Sequence, residues 1–497
     1  MRSKGFIKGY APGANITLLN TIYIRPQKLP DGKYSNDSIY IIFKDLDTGE
    51  KKFQYIESPE YTYYISNGQK DITTNMVFIE DKYVKPVSCK YRDLKKSIAE
   101  LTGNLDFYYD NIKSGNYKNN DKLLTIPTVF RADLHVEDYY RFEFGRLYQN
   151  NVFKLSKMYL DIEVNVEEIN GEFPDPGQCT VNAVSLVDES SSKVYTLLLR
   201  DSTNPQIDAL AKNPSISHEL KLFVEDKVGG PKAVEMFGIT NMEYELVYFD
   251  TEADLLISVF NIINKIKPDF VMAWNMAFDI PYLLARMSKI GLSTLKYVCP
   301  PEFPVKRCFY YVDHRTDVFA ERGDFADIVS YTVYLDQLIT YASRRKGQAA
   351  PGSYKLDYIG QTVAGVNKLD YSHITYNLSK LPRLDYKTFV FYNVMDTIVQ
   401  LCIENRTGDV DFVFNKSLTN NTRYAKVHRQ TVYLAGRANK EFLEMGYVLG
   451  NNIQKHNSDK NPYTGGFVQD PLLVTDAPKV KIDGRPVNIA RNLNDFD

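Results

Sequence analysis

Two carboxylates stand one residue apart in the stretch 158–164, MYLDIEV: Asp161 and Glu163, separated only by Ile162. The residues leading in, Val152, Phe153, Leu155, Tyr159 and Leu160, are apolar or aromatic and suit a buried strand. Strand side chains alternate, so positions i and i+2 share a face and the two acids stand side by side. They repel and lose hydration there unless cations compensate. Hard divalent ions such as Mg²⁺ take oxygen ligands of this kind. A lone D-x-E is more often two solvated acids on an edge strand, so metal chemistry requires further carboxylates downstream.

The chain supplies two more clusters. Residues 274–282, WNMAFDIPY, place Asn275 and Asp279 where a strand gives way to a helix, with Pro281 suited to its first turn. Alone, Asp279 reads as a helix cap, although strand C-termini in open sheets are where ligands collect. In 389–403 the apolar residues at 391, 394, 395, 398, 399 and 402 follow helical spacing. Tyr392 and Asp396 are i and i+4, neighbours on one helix surface. In isolation they form an ordinary Tyr–Asp pair on an amphipathic helix.

The elements that must position these residues are legible in outline. Residues 1 to about 150 read as β-rich, with strands at 39–43 and 52–56 around the turn 45–50 and another at 61–65. The polar run 110–121, DNIKSGNYKNND, reads as a loop. Beyond the acidic strand, 179–187, 194–199, 244–249 and 270–274 read as strands. Helices are expected near 217–225 and from Glu252, capped by Thr251, to about 266. Three strands followed by strand–helix–strand predict a mixed sheet covered by helices, an α/β domain. Residues 313–330 are charged and aperiodic, an exposed hairpin or loop. A strand at 333–335 and a helix at 336–345 come next, and order resumes with GSYKLDYIG at 352–360.

The bulk numbers narrow the function classes. A chain of 497 residues predicts two to four domains. A formal charge of −2 gives no global basic field, so nucleic-acid binding must come from a local groove. The five cysteines are scattered without C-x-x-C, and the six histidines form no H-x-x-x-H pair. Free thiols in a reducing cytoplasm are therefore expected, rather than zinc or a disulfide framework. No apolar signal core or membrane-spanning stretch is present, and the expected location is the cytoplasm.

In combination, Asp161-x-Glu163, Asn275-x-x-Phe278-Asp279 and Tyr392-x-x-x-Asp396, in this order, resemble the exonuclease domain of family B DNA polymerases in its DEDDy form. The segment SYKLDY, 353–358, is similar to the T-even bacteriophage type, which would place the protein in a bacterial host's cytoplasm. The resemblance implies an RNase-H-like domain over 151–408, a family N-terminal domain over 1–150, a helical return over 409–445 and the beginning of a polymerase palm over 446–497. It implies 3′→5′ proofreading by two Mg²⁺ or Mn²⁺ ions. Asp161, Glu163 and Asp396 would hold one ion and Asp279 would act on the other; Tyr392 would orient the attacking water, and Asn275 and Phe278 the unpaired 3′ end of DNA. The loop 313–327 would be a strand-separating hairpin.

Residues 463–471, YTGGFVQDP, resemble the approach to the palm, which leaves Asp495 or Asp497 as a metal ligand of the polymerase site. With no fingers, second palm acid or thumb after residue 497, the expectation is one part of a split or truncated polymerase. Its partners would be primer–template DNA, a C-terminal chain carrying the remaining palm, fingers and thumb, and a sliding clamp. Two other readings are a stand-alone nuclease of the same chemistry and a non-catalytic nucleic-acid-binding subunit. The palm-like segment argues against the first, and the retained carboxylates against the second.

Overall fold

Alternation of apolar residues in the first sixty residues builds an antiparallel sheet of Ile16–Ile24, Ser38–Asp45 and Lys51–Glu57 in that order. The expected hairpin closes through Asp45, whose N–H donates to the Glu50 carbonyl at 2.9 Å and whose own carbonyl accepts from Gly49 at 2.8 Å. The computed structural model describes residues 5–28, 32–451, 479–482 and 485–488. A second small sheet joins Glu60–Ser66 to Val84–Lys90 and Val129–Phe130, and the helix Val136–Leu147 leads out of this β-rich region.

The run 110–121 is not a loop: it is divided between the helix Leu105–Lys113 and the 3₁₀ segment Tyr117–Thr125. Its asparagines are partners of one another, Asn111 donating to Asn120 and Asn119 to Asn111, each at 2.9 Å. Asn111 and Asn120 are buried in this amide cluster, while the residues between them, 113–118, are exposed.

The central sheet has six strands, β1 (Lys157–Val164), β2 (Val181–Asp188), β3 (Lys193–Leu199), β4 (Glu243–Phe249), β5 (Phe270–Ala273) and β6 (Val333–Asp336). Their spatial order is 4-3-2-1-5-6. Strand β2 is antiparallel to β1 and β3, while β5 and β6 run parallel to β1. A meander that continues into parallel strands through helical crossovers is the RNase-H-like arrangement, so the mixed α/β expectation holds. All four residues of β5 are inaccessible to solvent, which requires helices on both faces. Helix α1 (Glu252–Ile266) starts where the Thr251 hydroxyl accepts the Asp254 N–H at 3.2 Å. Helix α2 (Met276–Lys289) succeeds β5 directly, so Pro281 lies in its second turn rather than its first. Helix α3 (Tyr386–Thr407) is capped by Asp385, which accepts from Thr388 N–H at 3.0 Å.

The charged stretch at 313–330 does form a hairpin, with Cys308–Tyr311 paired to Phe325–Ile328. After α3, helices Asp409–Asn420 and Gln430–Glu444 carry the chain back, and Tyr447–Leu449 pairs with Phe78–Glu80. Residues 1–451 pack as one compact unit. In the second unit, Lys479–Ile482 and Arg485–Asn488 form an antiparallel pair. The palm-like segment 463–471, Asp495 and Asp497 lie outside the described residues. No described helix is long and apolar enough to cross a membrane.

Candidate active site

Strand β1 carries Asp161 and Glu163 past the end of its partner β5, which pairs with it only as far as Tyr159. Helix α3 crosses this open end, held by polar contacts along one stripe. Gln400 donates to the Leu160 carbonyl at 3.2 Å and Thr397 meets Ser185 of β2 at 3.2 Å. At the far end of the stripe, Glu404 accepts from Lys157 at 3.0 Å. This register brings Asn393 and Asp396 over the two acids of β1. Asn393 Nδ2 donates to Asp161 Oδ2 at 3.0 Å. Carboxylate oxygens of Asp161, Glu163 and Asp396 all lie within 4.8 Å of one another.

Asp279 enters from α2. Asn275 adopts φ of +69° and turns the chain sharply from β5 into the helix, which buries Asp279 in its first turn. The Asp279 carboxylate accepts the backbone N–H of Ile162, between the two acids of β1, and feels the charge of Asp161. It stands beside the three-carboxylate group rather than within it. Phe278 packs against Tyr282 at 5.2 Å between ring centroids and against the highly exposed Phe173 at 5.6 Å.

A residue not anticipated from the sequence completes the cluster. The ammonium of Lys368 pairs with Asp396 and donates to the Tyr392 hydroxyl at 3.1 Å. The backbone N–H of Lys368 donates to Asp357 at 2.8 Å, so the SYKLDY segment fixes its loop. Trp274, which opens the second cluster, donates to the Tyr354 carbonyl at 2.9 Å and ties that segment to β5.

The charges explain each other. Burial, then the neighbouring Asp396, push Asp161 up to about 8, against the pull of Lys368 and Asn393. Burial and the charges of Asp161 and Asp396 hold Glu163 well above the carboxylate range. Burial raises Asp396 as well, opposed by Lys368 and by the Tyr392 hydroxyl. Burial disfavours the Lys368 ammonium, but Asp396, Tyr392 and Asp161 outweigh it and hold the group well above the usual lysine range.

One lysine does not balance four carboxylates, and Asp396 Oδ1 is buried without a hydrogen-bond partner. An oxygen-only donor set of this kind fits a hard divalent cation. The site differs from a cavity of about 740 Å³ lined by residues of 20–25, the 308–328 hairpin and 423–428. None of Asp161, Glu163, Asp279, Tyr392 and Asp396 lines that cavity.

Residues 129–359 match the family described as DNA polymerase family B, exonuclease domain. This part of the chain is a family B polymerase exonuclease domain. The matched segment takes in Asp161, Glu163 and Asp279 and ends before Lys368, Tyr392 and Asp396. Among curated proteins the chain is similar to the DNA-directed DNA polymerase of Enterobacteria phage T4, 22% identical over 257 residues, covering 51% of this chain and 26% of the relative. It is also similar to the DNA polymerase of Bombyx mori nuclear polyhedrosis virus, 24% identical over 188 residues, covering 35% of this chain and 18% of the relative. The chain thus spans about a fifth to a quarter of the length of these relatives.

Sequence spacing around the exonuclease domain's acids gave no sign of Lys368, because it reaches Asp396 across 28 residues from a polar loop. Asn393 had a signal that went unread: it is a polar residue inside the Tyr392-x-x-x-Asp396 turn of a helix otherwise rich in apolar side chains.

Proposed function

We propose that this chain carries the 3′→5′ proofreading exonuclease of a family B DNA polymerase, hydrolysing the terminal phosphodiester of single-stranded or frayed DNA ends. The observation that supports it most is the meeting of Asp161, Glu163 and Asp396 within 4.8 Å, with Asp279 hydrogen-bonded to the same strand. Asp161, Glu163 and Asp396 would hold one Mg²⁺ or Mn²⁺ ion, and Asp161 with Asp279 a second. Bound there, such ions supply a nucleophilic hydroxide at neutral pH and stabilise charge on the phosphate. Tyr392 accepts from Lys368 and hydrogen-bonds to Asp396. Its remaining lone pair can accept from the attacking water and orient it. The paired rings of Phe278 and Phe173 offer a stacking face for an unpaired base beside Asn275. A 3′ end must leave its duplex to reach the carboxylates, so mispaired ends cost less to bind.

The test is digestion of a 5′-labelled oligonucleotide with Mg²⁺ present. The wild-type chain is expected to shorten it stepwise from the 3′ end, and Asp161→Ala with Glu163→Ala to lower the rate at least about 10³-fold with DNA binding retained. A double variant that cleaves at the wild-type rate would overturn the assignment. DNA synthesis would draw on palm, fingers and thumb elements beyond the described residues, in the same polypeptide or in a partner. This reading is supported by the length of the relatives named DNA polymerase. The chain as given should cleave a primed template without extending it, and nucleotide incorporation by it alone would refute this part.

A further inference from the structure

Two aromatic rings on loops beside the carboxylate cluster stand almost wholly in water, Phe173 at 84% exposure and Tyr376 at 95%. A single exposed aromatic needs no explanation. These two, however, sit on loops that are themselves tied down. The loop 165–180 leaves β1 just after Glu163 and leads into β2. Arg286 of α2 fixes it by donating to the Gly177 and Gln178 carbonyls, each at 3.3 Å, and to the Thr180 hydroxyl at 3.0 Å. Tyr282, also of α2, donates to the Cys179 carbonyl at 2.9 Å and accepts the Cys179 N–H at 2.7 Å. Pro174, next to Phe173, is buried. Phe173 is thus held out by a backbone anchored to the helix that supplies Asp279.

Tyr376 lies in a bend on the loop that carries Lys368. The Thr375 N–H donates to the Tyr371 carbonyl at 3.1 Å, and the Thr375 hydroxyl accepts the Asn377 N–H at 3.1 Å. Tyr371 packs edge-on against Tyr392, with 5.4 Å between ring centroids. The two loops touch: a Cβ on Gly171 would stand 3.7 Å from Asn377 Nδ2 and 3.6 Å from Ser379 Oγ. Phe173 follows Gly171 by two residues and Tyr376 directly precedes Asn377. Both exposed rings therefore flank the place where the loop from Glu163 meets the loop from Lys368.

We infer that Phe173 and Tyr376 form a clamp for two successive unpaired bases of the 3′ end, with Tyr376 the further, specificity-determining residue. The inference rests on the exonuclease reading above. Phe173, paired with Phe278 beside Asp279, takes the terminal base. Tyr376, on the neighbouring loop, takes a face of the base before it. Stacking suits this task because every base has a π-face, so the clamp accepts any sequence. Tied-down turns present both rings in advance, so little ordering entropy is lost when DNA arrives. A base within a duplex must first unpair and unstack before it can enter between the loops. Tyr376 thereby sets a preference for ends with at least two unpaired nucleotides.

The test uses the intact chain with Mg²⁺ and two 5′-labelled single strands, one of them lacking the base of the second nucleotide from the 3′ end. On the ordinary strand Tyr376→Ala should raise KM for the first cleavage about tenfold, the order expected for one lost stacking contact, and leave kcat near the wild-type value. Tyr376→Phe, which keeps the ring, should retain the wild-type KM. Removing the second base should raise the wild-type KM by a similar factor, and Tyr376→Ala should add nothing to that loss. Additive losses, or an unchanged KM for Tyr376→Ala on the ordinary strand, would overturn the clamp and leave the exonuclease reading in place. A wild-type chain that shortens neither strand would overturn both.

Discussion

In the proposed reaction Asn393 would act through Asp161 rather than on substrate. By donating to Asp161 Oδ2 at 3.0 Å it fixes the carboxylate's orientation and would leave the other oxygen for the proposed cation, shared with Glu163 and Asp396. Orienting partners of this kind are worth roughly 10–100-fold in metal affinity or activity. Asn393→Ala should therefore raise the Mg²⁺ concentration for half-maximal cleavage about tenfold, read from a Mg²⁺ titration of the rate. Full activity at the wild-type Mg²⁺ requirement would count against this role. The same residues set a pH dependence. Asp161 is raised to about 8, and Glu163 and Asp279 are raised too, each first by burial. An acid raised on folding binds more protons in the native than in the unfolded state. The metal-free chain should thus lose stability as pH climbs from the carboxylate range through about 8, and cation binding, which needs ionised ligands, should strengthen over that interval. Added Mg²⁺ should raise Tm more at pH 8 than at pH 6. An equal rise at both would show that the acids are already ionised. At this scale the sequence revealed the acids, because i, i+2 on a strand and i, i+4 on a helix are periodic relations. It concealed Lys368, whose pairing with Asp396 comes from loop geometry alone.

Helix α3 shows why polarity misleads at the scale of an element. Its apolar positions match the expected spacing, yet Asn393, Thr397, Gln400 and Glu404 are buried as well. Each has a partner on the sheet or at its edge, so the polar stripe faces protein and the Tyr392–Asp396 pair is interior rather than superficial. The close seat of α3 depends on Gly360, which has an ordinary helical φ of −54° and is needed for space, not for conformation. A Cβ there would stand 2.5 Å from Val399 Cγ1 and 2.6 Å from the Val366 carbonyl oxygen. The backbone oxygen of Val366 cannot yield as a flexible side-chain tip would, so the strain is divided between the Val366 loop and Val399 on α3. Gly360→Ala should cost roughly 2 kcal/mol, a typical penalty for overpacking, and should weaken Mg²⁺-dependent cleavage because Val399 shares its helix with Asp396. Thermal melting together with the Mg²⁺ titration checks both. An unchanged Tm would mean that the Gly360 turn can move away from α3 freely.

At the scale of the described chain, the sequence reads as changing near residue 150 from a β-rich to an alternating α/β pattern, but the packing between these two regions is not legible in it. Residues 1–451 form one compact unit, and a buried ion pair lies at the junction. Asp269, at the start of β5, is inaccessible to solvent and accepts from the Ser156 N–H at 2.7 Å and hydroxyl at 2.8 Å. Lys51 of the N-terminal sheet reaches the same carboxylate at 2.7 Å. Burial draws the Lys51 ammonium down to about 8 in spite of Asp269, the mark of a pair taken out of water. No periodicity could announce it, since its members are 218 residues apart and neither sits in a motif. Removing one partner of such a pair costs more than removing both, because a lone buried charge remains; the single loss is about 3–5 kcal/mol. Asp269→Ala should destabilise the chain by roughly 3 kcal/mol, and adding Lys51→Met should restore a large part of it. Since the pair joins the N-terminal sheet to the exonuclease sheet, the loss should appear as a downward shift of one shared unfolding transition. Calorimetry with a double-mutant cycle measures both effects. Two separate transitions, with only one displaced by Asp269→Ala, would mean that the regions fold independently and that the ion pair does not couple them.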